Sequence, residues 1–177
     1  MVITLVGVRG TGKSTVAREI ARRLKWDAVD ADDEIESRAG RSIRTIFEES
    51  GESAFRQLER EVMHDLLERE DLVIASGGGA VLDPLTRQRM VAAGPVVWLQ
   101  AEPQTIIARL AADASTSERR PALTEQDPTD EIHSVLKDRE PLYHEVATRI
   151  VVTDSRSVSE IVDEILDRDP IGEEPYA

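Results

Sequence analysis

Gly7 is followed after four residues by Gly12-Lys13-Ser14, within the stretch GVRGTGKST at residues 7–15. An apolar run, VITLVG, leads into it, and Val16, Ile20 and Leu24 follow at helical spacing. That order leaves the backbone few options. The run reads as a buried strand, the glycines as a tight turn, and Lys13–Leu24 as a helix that starts at the turn. Successive backbone N–H groups in such a turn form a concavity for anions, and the helix dipole adds to it. Lys13 is placed to reach β- and γ-phosphates, and the Ser14 hydroxyl to meet Mg²⁺. With both flanking elements present, a nucleoside triphosphate site is predicted over Gly10, Thr11, Gly12, Lys13, Ser14 and Thr15.

The rest of the chain alternates short apolar runs with helical patterns. A second strand is predicted to end near Asp30, a third is LVIASGGG (72–79), ending in a glycine cluster, a fourth is PVVWLQ (95–100), and a fifth RIVVT (149–153). Between them, SIRTIFEESG reads as a short helix stopped by Gly51. Phe55, Leu58, Val62 and Leu66 form one stripe of a longer helix over 52–69. Further helices are predicted at Pro84–Ala93, Pro103–Ala112, Thr129–Ala147 (interrupted by Pro141) and Ser157–Arg168. Alternation of this kind implies a mainly parallel α/β sheet with helices on both faces, with ligands at the carboxyl ends of the strands. Residues 113–124 lack both period and apolar content and read as an exposed loop. The last residues, 171–177, read as a loose tail after a single domain over 1–170.

At 177 residues with 40% hydrophobic side chains, the chain is long enough for one packed core. The net charge of −13 argues against nucleic acid or an anionic membrane as partner, since either needs a basic face. Without cysteine there is no thiol nucleophile and no Cys-based zinc site. No apolar run has the length of a membrane span and no charged leader precedes the first strand, so a cytoplasmic location is expected.

Phosphoryl transfer needs a carboxylate for the metal and often a base for the acceptor hydroxyl. The third strand ends without an acid, but VDADDEIE offers Asp30 and Asp32, two apart, which on an extended segment face the same side. One can serve the metal and the other the acceptor; the competing explanation is a helix start, where Asp is favoured as a cap. Arg139 falls on the apolar stripe of its helix with Ile132, Val135, Leu142 and Val146, where a guanidinium needs an anionic partner or a route to solvent. Arg56 lies beside the stripe of the 52–69 helix with Glu59 at i+3 to orient it. Two such arginines in an acidic chain point to a carboxylate on the acceptor. Gly77, Gly78 and Gly79 would let a ligand approach the backbone, or else form a flexible turn. ERRPAL suits a lid that closes over ATP, the alternative being a solvated loop. The three histidines share no spacing and read as structural or surface residues.

Taken together, GVRGTGKST, DADDEIE, GRSIRTIFEESGESAFRQLE, ASGGGAV, RRPAL and REPLYHEVA, in that order, resemble the shikimate kinase family over residues 2 to about 156. The resemblance implies a P-loop kinase with a three-layer α/β/α architecture and a five-stranded parallel sheet of order 2-3-1-4-5. It implies a substrate-binding segment over 31–60 and a lid over 111–124. The implied reaction moves the ATP γ-phosphate to the 3-hydroxyl of shikimate, with Mg²⁺, in aromatic amino-acid biosynthesis. By position, Asp32 is the acceptor base, Lys13 and Arg120 (with Arg119 beside it) stabilise the transferring phosphate, and Ser14 and Asp30 hold the metal. Arg56 and Arg139 clamp the shikimate carboxylate, Glu59 orients Arg56, Gly77–Gly79 line the ring, and Phe47 and Phe55 form an apolar wall. Arg109, Arg120 and Arg156 fall where the family grips ATP. A monomer is expected. The competing expectation is a kinase of another polyol acid such as gluconate. A guanine-nucleotide switch is disfavoured because no NKxD-type tetrad is present.

Overall fold

The computed structural model describes residues 1–112 and 128–167. Five strands, β1 (Val2–Val6), β2 (Asp27–Asp30), β3 (Leu72–Ala75), β4 (Val96–Gln100) and β5 (Arg149–Val152), form one all-parallel sheet in the order β2-β3-β1-β4-β5. The helices are α1 (Lys13–Leu24), α2 (Ala31–Ala39), α3 (Ile43–Leu67), α4 (Pro84–Ala93), α5 (Pro103–Ala112), α6 (Pro128–Val146) and α7 (Val158–Asp167), with a 3₁₀ turn at Ala80–Leu82.

Strand residues alternate between two cores, as the period of two requires. Val2 and Val6 of β1, Leu72 and Ile74 of β3, and Val96 and Trp98 of β4 face a core shared with α2, α3, α4 and α6. Ile3, Leu5, Val73, Ala75, Val97 and Leu99 face the other, with Val16 and Ile20 of α1 and Ile161, Val162 and Ile165 of α7. Both faces of the three central strands β3, β1 and β4 are covered, which is why these are almost continuously apolar, whereas the edge strands β2 and β5 are partly exposed.

The register fixes what meets at the functional edge. Leu5 pairs with Ala75, and Ala75 in turn with Asp30. The chain therefore leaves β1 at Gly7, β2 at Asp30 and β3 at Ser76 on one level. Ser76 ties the β3 exit to the end of β1, its backbone N–H and side-chain hydroxyl both donating to the Leu5 carbonyl.

Local structure differs from the sequence pattern at Asp32 and Pro141 and agrees with it at Gly51. Helix α2 starts directly after β2, so Asp32 is helical and not on an extended segment; Asp30 is the N-cap, its carboxylate accepting from the Asp32 N–H. Within α3, Gly51 takes φ 78° and ψ 172°, which divides it into the two predicted helices. Pro141 lies inside α6 without ending it, at the loss of one backbone hydrogen bond. The expected lid falls almost wholly outside the described residues, as do Arg119, Arg120, Arg168 and the tail.

Leu5 is fully buried at the centre of this sheet. Leu5→Ala is expected to lower unfolding free energy by about 2–5 kcal/mol, measured by urea denaturation.

Candidate active site

The phosphate loop connects β1 to α1. Gly12 is the N-cap of α1 with φ 92°, a left-handed conformation that disfavours a side chain. No side chain caps this end and no acid lies in the first turn, so the α1 N–H groups face the loop. At Gly7 (φ 137°) a Cβ would come within 2.6 Å of the Leu99 carbonyl oxygen. Thr11 Oγ1 donates to the Val8 carbonyl at 2.9 Å. Lys13 is buried, with Nζ donating to the Gly7 and Val8 carbonyls, both at 2.8 Å, so its ammonium lies inside the loop. Thr15 is the third residue of α1 and is exposed.

Ser14 and Asp30 meet across the first two strand exits, the Ser14 hydroxyl donating to Asp30 Oδ2. Asp30 Oδ1 accepts from the Asp32 N–H at 3.0 Å. One carboxylate thus joins the phosphate loop to the first turn of α2, where Asp32 is half-buried. A hydroxyl beside a carboxylate suits a hard cation that keeps most of its waters or phosphate ligands. Among the described residues no group of three or more His, Asp or Glu gathers as a resident metal site would require.

The arginines meet the glycines. Arg56 leaves α3 one turn after Gly51 and points at Gly79, where an added Cβ would lie 2.1 Å from its Nη1 and 2.8 Å from its Cζ. Arg139 leaves α6 towards Gly78, where a Cβ would lie 3.3 Å from its Nη1. The same Cβ would lie 3.5 Å from the Gly7 carbonyl oxygen and 3.6 Å from Val8 Cα, so this turn touches the phosphate loop too. All three glycines are buried, and none has a positive φ. At Gly78 and Gly79 small size serves close approach, and left-handed backbone accounts for none of the three.

Arg56 is held on several sides. Its Nη1 donates to Glu59 Oε2 at 2.6 Å, and Nε and Nη2 donate to Glu52 Oε1 at 3.3 and 3.2 Å. Glu59 is buried at 3% exposure, whereas Glu52 is 62% exposed. Burial works against the Arg56 charge, but Glu59, with Glu52 in support, outweighs it and holds the guanidinium above its ordinary value. Five N–H bonds exceed what these contacts use, so a further acceptor can bind. Arg56 also lies over the Phe55 ring, 5.2 Å from its centroid, and Phe55 packs on Phe47 at 4.7 Å. A cavity of about 310 Å³ opens on the outer side of Arg56, Glu59 and Gly79, walled by Arg60, Asp83 and Thr86; Asp32 and Arg139 are not in its wall.

Comparison with known proteins bears on what this arrangement serves. The family model for shikimate kinase matches residues 9–169. A curated shikimate kinase from Rhodopirellula baltica is 44% identical over 166 residues, covering 94% of this chain and 89% of the relative. The chain belongs to the shikimate kinase family. Among solved structures, shikimate kinase from Acinetobacter baumannii in complex with shikimate superposes with a TM-score of 0.88 at 36% identity, covering 94% and 90% of the two chains. A gluconokinase from Sinorhizobium meliloti superposes with a TM-score of 0.60 at 18% identity, covering 93% of this chain and 89% of its own, a likeness of fold alone.

Within this shikimate kinase family member, the structure brings Asp30, Arg56, Gly77–Gly79, Arg139, Glu59, Phe47 and Phe55 to the edge where the phosphate loop lies. Of the two other described arginines expected to bind ATP, Arg109 reaches the phosphate loop and Arg156 bonds within β5 and α7. Arg109 of α5 donates to the Gly10 carbonyl at 3.3 Å, and to Thr153 Oγ1 and the Thr153 carbonyl at 3.0 and 2.9 Å. Arg156 pairs with Glu164 at 2.5 Å and donates to the Val152 and Glu160 carbonyls. Two residues without a role in the sequence pattern join the site: Glu52, four before Arg56, and Tyr143, four after Arg139, whose hydroxyl donates to the Gly78 carbonyl at 2.7 Å. The i, i+4 spacing from each arginine was the available signal. Of the histidines, His64 Nε2 lies 3.3 Å from Thr86 Oγ1, His144 packs edge-on against Trp98, and His133 is exposed.

Gly79→Ala places a methyl on the Arg56 guanidinium. It is expected to weaken shikimate binding by about 10²-fold, the order of effect of a displacement of about 1 Å, with ADP affinity little changed; isothermal titration of each ligand checks this.

Proposed function

We propose that this chain transfers the ATP γ-phosphate to the 3-hydroxyl of shikimate, giving shikimate 3-phosphate and ADP. The observation that carries the reading is the convergence of Arg56 and Arg139 on Gly79 and Gly78, beside the phosphate loop. Two guanidiniums on one glycine turn fit a planar carboxylate. The nearness of that turn to Gly7 and Val8 supports an acceptor bound next to the phosphate donor. Gluconate carries a carboxylate too, and what favours shikimate over it is the 36% identity to a shikimate kinase solved in complex with shikimate.

In this reading ATP lies with its phosphates on the 10–15 backbone, and Lys13 turns from the Gly7 and Val8 carbonyls to the β- and γ-phosphates. Mg²⁺ arriving with ATP would be held by Ser14 and Asp30, supplying charge neutralisation across the phosphates. Asp32, fixed by the Asp30 cap, orients the acceptor hydroxyl and takes its proton. Arg56 and Arg139 bind the carboxylate, Glu59 orients Arg56, Gly77–Gly79 lie along the ring, and Phe47 and Phe55 exclude water from one side. Arg109 and Arg156 frame the loop at 153–157 on the nucleotide side, and Arg120 of the lid completes the phosphate site. Catalysis then rests on positioning and electrostatics.

The enzyme is proposed to act as a cytoplasmic monomer, with shikimate and ATP as its partners and neither nucleic acid nor membrane. No helix among the described residues is long and apolar enough to cross a membrane.

An ADP-release assay tests the reading: shikimate should be turned over and gluconate should not, and the reverse would refute it. Asp32→Asn is expected to lower kcat by about 10²–10⁴-fold with ADP affinity retained. Arg139→Ala is expected to weaken shikimate binding roughly 10–100-fold, the loss of one charge-assisted contact, read by titration calorimetry.

A further inference from the structure

One buried polar group beside the glycine turn has no part in the reaction as described. The Tyr143 side chain is fully buried, its ring lies 5.5 Å from that of Trp98, and its hydroxyl donates to the Gly78 carbonyl at 2.7 Å. A phenylalanine would fill nearly the same volume, so packing alone does not account for the hydroxyl. Tyr143 and Arg139 are four apart on α6 and leave it on the same face, one turn from each other. Both reach the same residue. The Gly78 carbonyl takes the phenol, and the position of its absent Cβ lies 3.3 Å from Arg139 Nη1 and 3.5 Å from the Gly7 carbonyl oxygen. Helix α6 is therefore fastened to the glycine turn by one directional bond, a helical turn away from the guanidinium it delivers. An apolar contact at the same place would resist separation but not sliding or rotation of α6 along the turn.

We propose that Tyr143 is a positioning residue for the acceptor: its hydroxyl sets where Arg139 sits over Gly77–Gly79, and so the spacing of the carboxylate clamp. This rests on the reading of Arg139 as half of that clamp. The influence of Tyr143 passes through Arg139, so the effect belongs to shikimate affinity and not to ADP affinity.

The test is a cycle of variants of the full chain, Tyr143→Phe, Arg139→Ala and the double variant, each titrated calorimetrically with shikimate and with ADP. Tyr143→Phe is expected to weaken shikimate binding roughly tenfold, the scale of one buried hydrogen bond, and to change ADP binding by less than about twofold. In the Arg139→Ala background the same substitution should cost less than about twofold, because the group it positions is gone. Equal losses in both backgrounds, or parallel losses of shikimate and ADP affinity, would overturn the positioning role. If Arg139→Ala alone binds shikimate as the wild type does, the clamp reading falls and this inference with it. If Arg139→Ala weakens binding and Tyr143→Phe does not, only the inference falls. A second readout keeps the Tyr143 hydroxyl. The chain has two tyrosines, so 3-fluorotyrosine in a Tyr176→Phe background gives one ¹⁹F resonance from position 143. It should shift under saturating shikimate, and a resonance that stays in place would contradict the proposal.

Discussion

The site depends on the absence of two side chains, those of Gly78 and Gly79. At the end of β3, Gly77–Gly79 are buried, and two guanidiniums from opposite helices come as close to their backbone as a methyl group would. Any Cβ at Gly79 would overlap Arg56, and one at Gly78 would crowd Arg139 and the phosphate loop together. The parallel sheet makes this possible by ending β1, β2 and β3 on one level, with Asp30, Ala75 and Leu5 in register. Donor and acceptor halves of the site are thus adjacent because adjacent strands end together.

Positive charge is spent sparingly in a chain of net charge −13, and each functional cation is individually supported. Lys13 is buried among backbone carbonyls, and Arg56 is paired with a buried Glu59. A buried ion pair adds little to stability once desolvation is counted. Its consequence here is directional: Glu59 at i+3 fixes the guanidinium plane against Gly79 and the Phe55 ring. The far more exposed Glu52 shares the same guanidinium and contributes less, as pairs near solvent do.

Much of this was legible in the sequence because it is local. The G-x(4)-G-K-S loop, the Gly51 break and the stripes of α3 and α6 are properties of a few consecutive residues, and the structure has each of them. Arg139 stood out as a charge on an apolar stripe. What the pattern could not give was contact between elements. Gly77–Gly79 read equally as a flexible turn, because the guanidiniums that require small size at Gly78 and Gly79 come from 20 or more residues away. Asp32 read as strand-like because the two-residue spacing is the same in an extended segment and in a capped helix start; the Asp30 cap decides it. Tyr143 carried only a spacing from Arg139, and its partner is 65 residues distant.

The account stands on recognition of a charged carboxylate by Arg56 and Arg139, and the acceptor itself offers the direct test. Titration calorimetry of the wild-type chain with shikimate and with its methyl ester removes that charge, at the addition of one methyl group. Loss of two charge-assisted contacts predicts ester binding weaker by about 10²-fold or more. An ester that binds as tightly as shikimate would contradict the clamp.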